Sequence, residues 1–513
     1  MKRMKKIMAL MLAVIMMMAM SVTAFAAEGA TKGTLTVNVK DGQTLANQTV
    51  NIYKLFDMTV SGSNYGYKVN SLYTPILDQV LGDGFTDKTD SGYYDAVKKA
   101  TDTNNGTNTQ KFANDFTKEL LKYNKEHPDQ MIKETSTKSF GKDATDTTFN
   151  VDGLDFGYYL VCQTGTKEIQ SSLVPVVGAT ATVNLKTQAP DITKTADNDA
   201  TTVYVGQTVT YTITGQVPDM TGYSNYVYKI HDTLTDGLDF VKNEAGNVVV
   251  TVKIGETAYD DVVGVISKDN ARKMTIDLSE KVKTAATGAK IEVTYQAKVN
   301  KNAVVETKNS ATLEYSNKPG TEETGTTKPS EVVTPTYPLD VKKTDTKDTM
   351  LAGAHFKLYA STTDGNIDKN KVIKVTKDVE NTDGKYTYAA NQSAEDAIDE
   401  MVTVANKIDE QGYNLHINGL AAGIYYLEET QAPDGYNKLS APIKVTITKT
   451  GDTEWTVSKD DVEETDKIID IENSTGSILP STGGRGAIAF SVIAALLVFG
   501  VAVSFIRDKR KEA

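Results

Sequence analysis

The chain has 513 residues, with 55 Lys and Arg against 67 Asp and Glu, for a formal charge of −12. That balance excludes a protein built to grip nucleic acid or anionic lipid through charge. One cysteine, Cys162, excludes an intrachain disulfide.

Residues 1–26 begin "MKRMKK", continue into a methionine-rich apolar run and end on Ala24-Phe25-Ala26. A basic start, an apolar middle and an A-x-A end are the pattern of a secretory signal, so an exported chain maturing near Ala27 is expected. Export makes the lone cysteine notable, because oxidising surroundings permit disulfides that this chain does not use.

From there the residues alternate with the period of half-buried strands, as in "TLTVNV", "QTVTYTITGQV", "KIEVTYQAKV" and "APIKVTITKT". The expected fold is mainly β: three tandem immunoglobulin-like sandwich domains with small helical insertions. Breaks at "TQAPD" and "NKPGTEETGTTKPSEVVTPTYP" place the domains at 27–188, 189–336 and 337–477. The second break also reads as a hairpin of the middle domain. Phe112, Phe116, Leu120 and Tyr123 share a helical face, as do Ile398, Met401 and Ile408 behind a Ser393–Asp396 capping box.

Each strand that opens a later domain carries a lysine in its inward phase. In "APDITKTAD" it is Lys194, in step with Ile192; in "PLDVKKTD" it is Lys343, in step with Leu339 and Val341, while Lys342 faces water. Each domain closes on an inward asparagine: Asn309 with Ala311, Leu313 and Tyr315, and Asn473 with Ile469 and Ile471. An inward acid completes each set, Asp232 in "NYVYKIHDTLTDGL" and Glu429 in "AGIYYLEETQAPDGY". Asp236 and Asp239 stand close enough in sequence to compete with Asp232.

An apolar interior disfavours charge, so it pushes a lysine towards the neutral amine and a carboxyl towards the neutral acid. Such an amine can attack a carboxamide held beside it, with the acid polarising the carbonyl and moving protons. Ammonia leaves and a Lys–Asn isopeptide bond remains. The first domain departs from this pattern: its opening strand turns Leu35, Val37 and Val39 inward with no lysine, and "FGYYLVCQT" has Cys162 where "GIYYLEET" has Glu429. No crosslink is expected there, and Cys162 reads as a small buried apolar residue.

The chain ends on "LPSTGG", a 20-residue apolar stretch from Ala487 to Ile506, and "RDKRKEA". Such a stretch can span a bilayer, so a single-pass anchor is one reading. The order Leu479-Pro480-Ser481-Thr482-Gly483, apolar helix, basic tail resembles the sorting signal of Gram-positive surface proteins. The resemblance implies sortase cleavage between Thr482 and Gly483 and attachment of the chain to the cell wall peptidoglycan. With both ends removed, Lys plus Arg falls from 55 to 46 and Asp plus Glu from 67 to 65, a charge near −19.

The stretches "VKKTDTKDTMLAGAHFKLY", "GIYYLEETQAPDGY" and "IENSTGSILPSTGG" resemble the C-terminal domain of Gram-positive backbone pilins, of the collagen-adhesin B-repeat type. "DITKTAD", "HDTLTDGLDF" and "NSATLEYSN" resemble their middle domain. What this implies is a surface pilus shaft with bonds from Lys343 to Asn473, assisted by Glu429, and from Lys194 to Asn309, assisted by Asp232. It also implies a pilus sortase that joins Thr482 of one subunit to a lysine of the next, a housekeeping sortase for wall attachment, and accessory pilins and host ligands as further partners. The matching lysine is Lys186, in "ATVNLKTQAPD", where Asn184-Leu185 stand in place of the family's Tyr-Pro; Val183 and Leu185 are in phase, so Lys186 faces outward.

Two other classes compete. A monomeric wall-anchored adhesin, or a basal accessory pilin, would use the same domains. A secreted enzyme fits poorly: His127, His231, His355 and His416 are scattered, no G-x-S-x-G or phosphate loop occurs, and "DGNIDKN" lacks the register of a calcium loop. No cofactor or metal site is expected.

Overall fold

The computed structural model describes residues 31–476 except 41, 62–63, 102–106, 187, 198–201 and 378–383. The expected signal peptide, the Leu479–Gly483 signal and the 487–506 stretch lie outside the described residues. Among those described, no helix is long and apolar enough to cross a membrane. The fold is mostly β, and it divides into two compact units: residues to 201 with Gln207–Thr334, and Thr202–Gly206 with everything from Pro335 onward.

In the first unit, the strand Lys32–Val39 lies between Thr148–Asp155, antiparallel, and Thr180–Leu185, parallel. A second sheet runs Asn64–Val69, Thr49–Ser61, Gly157–Thr164, Ser171–Val176, with Ser136–Ser139 also on Thr49–Ser61. Leu35 and Val37 pack with Ile52, Tyr159 and Val161 between these sheets. The outer face of the second sheet is covered by helices Thr74–Leu81, Asp90–Thr101 and Thr107–Glu126, whose Phe112, Phe116 and Leu120 meet Tyr53, Leu160 and Cys162. The strand Gly157–Thr164 is therefore covered on both faces, and seven of its eight residues are buried. This explains why its sequence reads as a near-continuous apolar run instead of alternating.

Most of the rest of the first unit is a twelve-stranded sheet whose main path has nine strands. It runs Thr324–Thr326, Lys308–Ser316, Tyr228–Leu234, Lys273–Asp277, Val263–Ile266, Val248–Ile254, Lys290–Val299, Thr208–Gln216, Thr193–Ala196. Ser330–Val333 also pairs with Lys308–Ser316, so the Pro/Gly/Thr-rich break is built into this unit as short strands. A Cβ on Gly325 would lie 2.9 Å from Asn47 Cβ, so this close approach requires glycine.

In the second unit a five-stranded sheet runs Val375–Lys377, Lys385–Tyr388, Leu415–Leu420, Tyr337–Asp345, Ile468–Asn473. The last two strands are parallel, with Lys343 opposite Ile471 and Asp345 opposite Asn473. Facing it is a sheet of Ile367–Ile373, His355–Ser361, Gly423–Gln431, Ile443–Lys449, Trp455–Lys459 and Val462–Glu464. The helix expected around Ile398, Met401 and Ile408 is not formed. Ile398 bridges to Val375, Met401 pairs with Phe356, and only Ile408–Glu410 makes a short 3₁₀ turn. The β-branched "VTV" after Met401 favours extended backbone, and edge pairing overrides the apolar spacing.

Candidate functional site

The inward phase predicted for the two lysines, two asparagines and two acids is the phase found. Lys194 is 4% exposed, Asp232 1%, Asn309 0%, Lys343 0%, Glu429 1% and Asn473 1%. Six ionisable or amide side chains this deep need partners, since an unpaired polar group in an apolar interior is costly.

In the first unit, Lys194 Nζ contacts Asp232 Oδ2 and the hydroxyl of Tyr295. Tyr295 donates to the same Asp232 oxygen at 2.6 Å, and Asn309 Nδ2 donates to Tyr295 at 2.8 Å. Four side chains from four strands thus meet at one point. Lys194 also lies over the rings of Tyr211 and Tyr295, at 5.3 and 4.9 Å from their centroids, and these rings stack at 5.7 Å. Asp232 Oδ1 and Asn309 Oδ1 are buried without a partner. Burial pushes the lysine down, opposed by the Asp232 charge, and pushes the Asp232 carboxyl up, opposed by Lys194 and Tyr295. Both shifts favour the neutral amine and neutral acid. Asp236 and Asp239 are elsewhere: both are exposed and bind Arg272, at 3.1 and 2.8 Å.

The lysine of the second unit meets backbone instead of side chains. Among the described residues Lys343 Nζ donates to backbone carbonyls, those of Ile471 at 3.3 Å and Thr344 at 3.5 Å. Burial pushes its amine down to about 8, against the pull of Glu429 and Glu472. Glu429 is on the facing sheet; its Oε1 accepts from Asn473 Nδ2 at 2.8 Å and its Oε2 from the Leu439 amide at 2.7 Å. Asn473 Oδ1 is again buried and unpartnered. In both sites the carboxamide oxygen, where charge develops if an amine attacks, has no hydrogen-bond partner among the described residues.

Sequence reading missed two residues. Tyr295 is in step with Ile291 and Val293, which marked it only as a core aromatic. Asn414, fully buried, accepts from the Lys343 amide at 2.7 Å and donates to the carbonyls of Val404, Leu351 and Lys343 at 2.8, 3.1 and 3.2 Å. It clamps the backbone that carries the lysine.

Cys162 does not occupy a matching position in space. It faces the helices and not the opening strand, and burial pushes its thiol up to about 12. Lys186 is exposed, one residue past the strand that ends at Leu185. Among the described residues, no cluster of three His, Cys, Asp or Glu could hold a metal.

Residues 337–461 match the family model of the SpaA prealbumin-like fold domain. The match includes Lys343 and Glu429 and ends before Asn473. No curated protein matches the chain. Among solved structures it is similar to the T6 backbone pilin of Streptococcus pyogenes, at 15% identity and a TM-score of 0.45, covering 88% of this chain and 100% of that one. The major pilin SpaA of Corynebacterium diphtheriae is 17% identical, with a TM-score of 0.45, covering 86% and 100%. The major pilin SpaD of the same organism is 19% identical, with a TM-score of 0.42, covering 87% and 98%. The chain is thus a mostly β protein with a SpaA-type prealbumin-like region, similar to the backbone pilins of Gram-positive bacteria.

Proposed function

We propose that this protein is the structural shaft subunit of a covalently polymerised cell-surface pilus, organised as domains 27–188, 189–336 and 337–477. The observation that carries the proposal is the pair of buried sites. Each holds an amine, a carboxamide and a carboxyl, on strands that open, close and cross one β-sandwich, and one of the two lies largely within the SpaA-type match.

The neutral amine of Lys343 or Lys194 attacks Cγ of Asn473 or Asn309. The acid, Glu429 or Asp232, donates to the free carboxamide oxygen as the tetrahedral intermediate forms. The C–Nδ2 bond then breaks, ammonia leaves with a proton from the attacking nitrogen, and the oxygen returns its proton to the carboxylate as the amide carbonyl re-forms. The site turns over once, with the protein as its own substrate, and held proximity does the work of a separate enzyme.

Polymerisation joins Thr482 of one subunit to Lys186 of the next through a sortase. Tension then enters at Lys186 and leaves at Thr482, so residues before 186 carry none of it, and the two bonds lie where force passes. The test is intact mass of the purified mature protein together with the pattern of surface species on the cell. Two ammonia masses should be missing, and a ladder of covalent multimers should vanish in Lys186→Ala. A full mass overturns the internal bonds; a single wall-linked species makes the protein a monomeric adhesin or basal subunit.

A further inference from the structure

We propose that Tyr295 is a catalytic residue of the middle site, relaying protons among Lys194, Asp232 and Asn309; the inference rests on the bond-forming reading above. A tyrosine hydroxyl has one hydrogen to donate and two lone pairs. Here all three are used: it donates to Asp232 Oδ2 at 2.6 Å and accepts from Lys194 Nζ and from Asn309 Nδ2, the latter at 2.8 Å. Its oxygen therefore touches the nucleophile, the acid and the leaving nitrogen at once.

The contacts define a sequence in which protons balance. From the ion pair, Tyr295 passes its hydrogen to Asp232 and takes one from the Lys194 ammonium, leaving an amine, an intact phenol and a carboxylic acid. The amine's lone pair attacks Asn309 Cγ, and the π electrons move to Oδ1, which has no other hydrogen-bond partner among the described residues and takes the proton from Asp232. Tyr295 then takes a proton from the attacking nitrogen as it gives one to Nδ2, the C–Nδ2 bond breaks, and ammonia departs. As the carbonyl re-forms, Oδ1 hands its proton back to Asp232, which keeps it or surrenders it to the ammonia. Burial and the neighbouring carboxylate hold the phenol far above its ordinary range, so Tyr295 works as a two-way relay and never as a free phenolate. The second unit offers a contrast within one molecule: among the described residues Lys343 Nζ contacts two backbone carbonyls and no hydroxyl.

The experiment follows crosslink formation at each site by peptide mapping of the whole mature protein, sampled over time after synthesis. Tyr295→Phe keeps the ring and removes the relay. The expected result is a middle bond formed roughly a hundredfold more slowly, as general acid–base losses usually run, with the Lys343–Asn473 bond forming on time. Site-specific replacement of Tyr295 by trifluorotyrosine keeps shape and hydroxyl but acidifies the phenol, and should change the rate at the middle site alone. An unchanged rate in both variants overturns the role of Tyr295 while leaving the bond. A wild-type protein lacking the middle bond overturns the underlying reading instead. If Tyr295→Phe prevents folding, the fluorinated protein decides.

Discussion

Lys194 and Lys343 are equally hidden and keep different company. Lys194 has a carboxylate, a phenol and two aromatic faces around its nitrogen; Lys343 has two backbone carbonyls. In the first case the charge is matched locally and the proton can be handed over inside the site. In the second, burial lowers the amine against the pull of Glu429 and Glu472, and the acid is engaged with Asn473 and a backbone amide. In both sites burial pushes the amine towards its neutral form, and only at Lys194 does a buried carboxylate stand close enough to take the proton.

The largest expected effect comes from removing a nucleophile. Lys343→Ala should retain one ammonia mass and lose on the order of 5 kcal/mol of stability, because the loop it closes exceeds a hundred residues. Lys194→Ala should do the same for its own bond, and denaturant midpoints with intact masses check both. A stability loss without a mass change would break the comparison at its root.

Next is Asn414→Ala, which strips the Lys343 backbone of its clamp and leaves the buried Lys343 amide and the Val404 carbonyl without this partner. A loss of about 3 kcal/mol is expected in chemical denaturation, with bond formation at Lys343 slowed and that at Lys194 untouched. Equal slowing at both sites would show that Asn414 acts on general stability and not on this lysine.

A smaller, sharper effect is the response to pH. Below about 8, formation of the Lys343 bond should speed up roughly tenfold per pH unit as the amine loses its proton, then level off. The Lys194 bond should respond little, since its ammonium and carboxylate become amine and acid with no net proton exchanged. In unreacted Asn473→Ala the folded amine has lost a proton that the unfolded chain still holds. Its stability should therefore rise with pH from about 8 towards the ordinary lysine range. Parallel profiles at the two sites would erase the distinction drawn between them.

The smallest effect belongs to Cys162→Ala, about 1 kcal/mol for a modest loss of packing. The native thiol, held up at about 12, should resist alkylation that the unfolded chain accepts at once.

Much of the candidate chemistry was legible because a strand has period two. Phase alone separated Lys343 from Lys342 and Glu429 from Glu428, and buried the former of each pair. Phase cannot say which sheet a strand joins, so it could not tell that Asp236 and Asp239 are held by Arg272, or that Cys162 looks towards helices. A tyrosine in phase reads as core, and only the meeting of four strands gives Tyr295 its contacts. The missing helix at Ile398 shows the opposite failure, where apolar spacing suited a helix and strand pairing claimed the same residues.

The parallel pairing of Tyr337–Asp345 with Ile468–Asn473 has a mechanical consequence of its own. Hauling on the two ends of this domain draws the first strand backwards and the last one forwards along a common axis. Their hydrogen bonds are then sheared together instead of unzipped one by one. The domain would resist extension by geometry even before any covalent clasp had formed.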